Sequence, residues 1–254
     1  MGSFIVFLQK EWIEMIRTKR LLILLCIFVF FGILGPVVTR YTPDILNLAM
    51  GAEMEITLPP VTWADSWGQL YGNLAQVGGI CIILLFMGCI TGEKQSGSTA
   101  LTLTKNLSHT GFVMAKFIAM TAAIIVSMIV TVAVCYGYTY LLFGFAGNIV
   151  NVILGAVIFI VFMLTVLGFT ILASALSKNT TNSAIIALFS FIILSVSAYL
   201  PWIGSMMPGM LLAKTTIITV GEKPGEIIFA LLISLCILSI CIFGAISILK
   251  KQEL

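Results

Sequence analysis

Cysteine, histidine and the carboxylates are the side chains that could hold a metal, attack a substrate or relay protons in this 254-residue chain. The six cysteines, Cys26, Cys81, Cys89, Cys135, Cys236 and Cys241, all lie in apolar runs, and no pair has the C-x-x-C spacing of a redox or zinc motif. The single histidine, His109, sits in a polar stretch apart from them, so no metal ligand set is expected. The sequence contains no H-E-x-x-H, no G-x-S-x-G nucleophile elbow and no phosphate-cradling G-x-x-x-x-G-K-[ST]. No catalytic residue and no cofactor bound by this chain are therefore expected.

The elements that position the remaining polar groups follow from where charge is absent. Hydrophobic residues make up 60% of the chain and charged residues only 9%, well below the roughly 25% of a soluble domain, which predicts an all-α membrane protein. A net charge of +3 is too small to imply nucleic acid. Since a crossing needs about 20 apolar residues, the gaps between charges predict six transmembrane helices near 21–38, 69–90, 117–143, 152–176, 183–200 and 227–249. The charge-free run from Phe117 to Ser177 is too long for one crossing, and Gly144 to Asn151, with two glycines and two asparagines, marks its turn. The first apolar run is not a signal peptide: it is long, its leader holds Glu11 and Glu14, and no A-x-A site follows.

Six crossings put both termini on one side. Lys10, Arg17, Lys19, Arg20, Lys94, Lys105, Lys116, Lys178, Lys250 and Lys251 share that side, against Arg40, Lys214 and Lys223 on the other, which predicts cytoplasmic termini in a multi-pass cytoplasmic-membrane protein. Six of the ten acids, Asp44, Glu53, Glu55, Asp65, Glu222 and Glu226, fall outside. Residues 1–20 predict an interfacial amphipathic helix ahead of the six-helix domain of 21–254. Lys10, Glu14 and Arg17 lie on its polar side, and Phe4, Ile5, Leu8, Trp12, Met15 and Ile16 on its apolar side. No Asp, Glu, Lys, Arg or His is expected inside a span, which disfavours a self-contained ion-coupled carrier. Hydroxyls within the spans, such as Thr131, Thr165 and Thr170, are expected to serve helix packing.

The loop after the second span reads Thr91-Gly92-Glu93-Lys94-Gln95-Ser96-Gly97-Ser98-Thr99-Ala100-Leu101, then Asn106-Leu107-Ser108-His109, then Lys116. This resembles the type-2 ABC exporter permeases, with Glu93, Gly97, Thr99, Ser108, His109 and Lys116 in the family's order. His109 stands at the usual Arg position, and Ser98 is extra between Gly97 and Thr99. A second block, Ala173 to Ala184, followed by Leu200-Pro201-Trp202 and Pro208, also fits, as do Lys10-Glu11-Trp12 and Arg17 near the start. The resemblance implies a coupling loop over about 93–116, where Glu93, Gly97, Thr99, Leu101, Ser108, His109 and Lys116 receive the motion of an ATPase. It implies cytosolic ABC ATPase subunits as partners, which carry the ATP and Mg, and a second six-span permease copy, identical or different, all within membrane lipid.

Within that family the nearest-looking group exports phenol-soluble modulins and related amphipathic peptides, alongside copper-enzyme-maturation permeases. It implies an apolar or amphipathic cargo and, as pathway-lining candidates, Phe86, Met87, Phe189, Phe191 and Tyr199. Two other functions fit a six-span chain with no catalytic groups: a membrane anchor or assembly factor for another complex, and a small ion-coupled carrier.

Overall fold

In lipid, backbone N–H and C=O groups have no water partner, so each apolar run must satisfy them internally as a helix. The computed structural model describes residues 2–50, 60–97, 108–200, 204–222, 225 and 227–252, and among the described residues all regular structure is helical. Six helical segments are long and apolar enough to cross a membrane: Arg20–Ile45, Trp63–Gln95, His109–Phe143, Ile149–Leu176, Thr180–Tyr199 and Ile228–Lys251.

Helix α1 (Gly2–Arg17) turns at Thr18 and Lys19 into α2 (Arg20–Met50). The first crossing contains Pro36 and its helix runs on past Val38 through Pro43, and there the Thr42 hydroxyl donates to the Val38 carbonyl at 2.6 Å. Gly32 brings α2 close to the backbone of Thr131, and Gly35 brings it close to Ser66 and Leu70. The second crossing starts at Trp63 rather than near Gln69, because Asp65 accepts both the Thr62 backbone N–H (2.7 Å) and its hydroxyl (2.9 Å), which caps the first turn. It is built from α3 (Trp63–Asn73), a π-helical turn (Leu74–Gly78), α4 (Gly79–Phe86) and, after a break, α5 (Thr91–Gln95).

Helix α6 (His109–Phe143) ends at Gly144, whose φ of 73° takes the left-handed cap that suits glycine. The outer turn is held by the Trp67 indole, which donates to the Ala146 carbonyl at 3.0 Å. Asn148 then caps α7 (Ile149–Leu176), its side chain accepting from Val150 N–H at 2.9 Å. This helix is the most buried of the six spans and packs against α4, α6 and the three helices that follow it.

The fifth span departs from a simple crossing. Helix α8 (Thr180–Val196) has 17 residues, about 25 Å of rise, short of a ~30 Å apolar layer. After 3₁₀ turns at Ser197–Tyr199 and Gly204–Met206, helix α9 (Gly209–Val220) lies within the bundle, where the sequence reading placed an outer loop. Its start packs on the end of α8, with Gly209 N–H donating to the Ser197 hydroxyl at 3.2 Å. Its other end reaches Asn151 at the top of α7. Helix α10 (Ile228–Lys251) returns to the end that carries both termini.

A Cβ on Gly209 would sit 2.6 Å from the Leu194 carbonyl oxygen and 2.9 Å from Ala198 N, both rigid backbone, whereas one on Gly72 meets nothing within 4 Å. Gly209→Val is therefore expected to cost at least about 1–3 kcal/mol by forcing α8 and α9 apart, and Gly72→Ala to be neutral or better. Unfolding in mixed detergent measures both; equal stability of the two variants would contradict this α8–α9 packing.

Candidate functional site

Three elements meet at the termini-bearing end, and each brings charge to one point. Helix α1 supplies Lys10, Glu11 and Glu14, α5 supplies Glu93, and α6 supplies Lys116. The Lys116 ammonium lies 2.9 Å from Glu11 Oε1 and 2.8 Å from Glu93 Oε1; Lys10 lies 2.8 Å from the same Glu93 oxygen, 3.0 Å from Glu11 and 2.9 Å from Glu14. The Lys116 side chain is 2% exposed and that of Glu11 6%. Phe7 and Phe112, with centroids 5.4 Å apart, cover the lysine, whose ammonium is 5.0 Å from the Phe112 ring and 5.7 Å from the Phe7 ring.

Two ammonium groups face three carboxylates, so the knot holds one net negative charge. Half-burial opposes the charge on Lys10, but its hydrogen bonds to Glu93 and Glu14 and the nearby Glu11 charge prevail and raise its pKa above the ordinary lysine value. Glu11, Glu14 and Glu93 have carboxylate oxygens within 4.8 Å of one another and, among the described residues, form a set that could hold a cation; the two lysines offset two of their three charges. Such a cluster fixes geometry tightly, since removing one member strands a buried charge on another.

A second set of bonds ties the same turn to the opposite side of the bundle. The helix break before α5 frees the N–H groups of Ile90 and Thr91, and the Ser174 hydroxyl accepts both, at 3.0 and 3.1 Å. The Thr91 hydroxyl donates to the Ser174 carbonyl at 2.9 Å, and Ser183 donates to the Met87 carbonyl at 2.7 Å. Lys94 donates to the Ala175 carbonyl and to the Gln252 side chain, each at 2.6 Å, and Gln95 donates to the Lys178 carbonyl and Asn179 Oδ1, each at 3.2 Å. The five-residue helix α5 thus joins α1, α6, α7, the start of α8 and the end of α10.

The structure brings together Glu93 and Lys116 from the expected coupling set. Lys116, expected to close the coupling loop at about 93–116, lies two turns inside α6, which Ser108 starts by accepting from Gly111 N–H at 3.1 Å, and is buried among Glu11, Glu93, Phe7 and Phe112. Gly97 has φ +70° and no described atom within 4 Å of where its Cβ would stand, so a left-handed turn rather than a close approach requires glycine there. Ser108 is exposed and His109 partly so; Thr99 and Leu101 lie outside the described residues.

On α1, Phe4, Leu8 and Trp12 are partly buried, while Ile16 and Arg17 are exposed. The face turned to the bundle is Phe7, Glu11 and Met15. Of the pathway candidates, Phe86 is fully buried in the core and Phe191 packs against Gly79, whereas Phe189 and Tyr199 are 67% and 85% exposed and Met87 is partly exposed. The sequence reading assigned no partner to Glu93 and passed over Glu11 and Ser174 as site residues. Glu11 has a signal: it lies four residues from both Phe7 and Met15, a carboxylate in the middle of an apolar face.

Residues 5–219 match the family described as ABC-2 family transporter protein. A relative named uncharacterized transmembrane protein YxlG, from Bacillus subtilis (strain 168), is 24% identical over 147 residues, which cover 56% of this chain. The match also spans about half of that relative's length, 56%.

Lys116→Met is expected to lose about 3–5 kcal/mol, because Glu11 and Glu93 keep their charge without it. Adding Glu11→Gln should restore part of that loss, so the two changes together cost at least about 1 kcal/mol less than their sum. Unfolding of the four proteins in mixed detergent gives the coupling; simple additivity would mean that the pair does not interact.

Proposed function

The chain belongs to the ABC-2 family of transporter proteins, and from that membership we propose that it is the membrane subunit of an ATP-driven exporter, its termini-bearing end facing the cytoplasm. Cytosolic ATPase subunits, holding ATP and Mg, dock on the loop between α5 and α6, and a second six-span copy completes the pathway. The observation that carries this reading is the knot: the two ends of one loop, Glu93 and Lys116, are held together by direct ion pairs and bound to α1. A push on that loop cannot be absorbed locally. It passes through Lys116 into α6, through Thr91 and Ser174 into α7, and through Lys94 into α10.

The cargo is hydrophobic or amphipathic, with toxin-like or antimicrobial peptides the closest fit. The exposed side of α8, with Ile185, Phe189 and Ile192, continues through Tyr199 in the following 3₁₀ turn as apolar and aromatic surface without charge, and alternating access in the paired assembly would expose it to each side in turn.

Affinity purification from native membranes is expected to retain an ATP-hydrolysing cytosolic chain. Gly97→Trp in that complex should lower cargo-stimulated hydrolysis and export at least about fivefold while costing no more stability than a strained loop residue, about 1–2 kcal/mol. Full activity in Gly97→Trp would overturn the coupling role. Flux driven by an ion gradient through the chain alone would instead make it a carrier, and stable association with a complex lacking an ATPase would make it an assembly factor.

A further inference from the structure

A groove of about 490 Å³ runs between α1 and α6, on the flank of the interfacial helix. Leu8, Trp12 and Ile13 form one wall, Ile118, Ala119 and Ala122 the other, and Gln9 is its one polar lining residue. One turn beyond Ile13 on the same helix stands Arg17, followed at the corner by Lys19 and Arg20. Lys19 has φ +59°, a conformation uncommon outside glycine, which fixes the direction in which α1 leaves α2. Among the described residues no carboxylate pairs with Arg17, Lys19 or Arg20, whereas Lys10 and Lys116 are both engaged in the knot.

We propose that this groove and corner bind an anionic phospholipid of the leaflet around the termini-bearing end. One acyl chain lies between Trp12 and Ala122, and the phosphate headgroup faces Arg17, Lys19 and Arg20. An acyl chain suits the groove because its walls are apolar and it opens where the spans meet lipid. The headgroup is anionic because Arg17, Lys19 and Arg20 follow one another at one corner and, among the described residues, none is in an ion pair with a carboxylate, and each basic residue near a surface favours anionic lipid. Occupancy fills the space between the two helices whose other contacts are Phe7 with Phe112 and Glu11 with Lys116, so the lipid braces the knot from outside it. This inference concerns binding and stands whether or not the chain transports anything.

The test places the full chain in nanodiscs of phosphatidylcholine and replaces part of it with brominated-chain phosphatidylglycerol or brominated-chain phosphatidylcholine. The signal of Trp12 is the quenching lost in Trp12→Phe. Half-quenching of Trp12 is expected at an at least about fivefold lower fraction of the anionic lipid. In Arg17→Gln/Lys19→Gln/Arg20→Gln that preference should fall to near one. In Ala122→Phe, which fills the groove and leaves the cations in place, quenching by the anionic lipid should drop to the level of the neutral one. Equal quenching by the two lipids in the wild type would overturn the proposal, as would a preference that survives in Ala122→Phe.

Discussion

A lysine placed two turns inside an apolar helix must find a carboxylate, and the architecture of the termini-bearing end follows from that requirement. Burying an isolated ammonium costs several kcal/mol even after relaxation. Lys116 avoids this by drawing Glu11 from α1 and Glu93 from α5, while Phe7 and Phe112 close over the group. Helix α1 therefore does not simply float on the membrane surface. Its exposed side is apolar, with Ile5, Val6, Ile13 and Ile16, and its opposite side is held to the bundle through charge. The same pairing holds Glu93 and Lys116 together at 2.8 Å, and each has a second partner on α1, Lys10 for Glu93 and Glu11 for Lys116.

Around this joint, the helical breaks obey a second constraint, that no backbone donor be left unmet in lipid. The break before α5 is tolerated because Ser174 offers one hydroxyl to two freed N–H groups. The break between α8 and α9 is tolerated because Ser197 accepts from Gly209 N–H and because glycine lets the two backbones touch. The break before α5 sits against α7, the most buried span, whereas the break after α8 packs on α9 and leaves Tyr199 exposed.

The spans were legible because charge is excluded from lipid, and the turn at Gly144 was legible because glycine and asparagine interrupt an otherwise apolar run. Helix ends were less so. Helix α2 continues past Val38 through Pro43, a residue type that sequence rules treat as a breaker, with a threonine hydroxyl supplying part of the repair. Helix α9 was hidden by Lys214 in its middle, which makes an apolar helix look like a loop between spans. The knot was half legible. Glu93 and Lys116 stood out through the pattern of one loop, but the contact with Glu11 joins residues 105 apart, and no local periodicity encodes it. What the sequence does carry is the misfit of Glu11 among Phe7 and Met15, a cost that only a distant lysine explains.

The polar groups deeper in the bundle differ in kind from the knot, and the difference bears on where energy enters. Thr165, Thr170, Thr215 and Ser234 each donate to the carbonyl four residues back on their own helix, at 2.6–2.9 Å. Hydroxyls held this way serve their own backbone and are poorly placed to pass a proton or shed an ion's water shell from helix to helix. Among the described residues the ion pairs are instead gathered at one end, next to the loop with the family's pattern, where they tie Glu93 and Lys116 to α1. A bundle driven by an ion gradient has reason to place its ionisable groups along the route of the ion. A bundle driven from outside has reason to place them where the push arrives, which is the part the proposed coupling role gives to Glu93, Lys116 and Glu11.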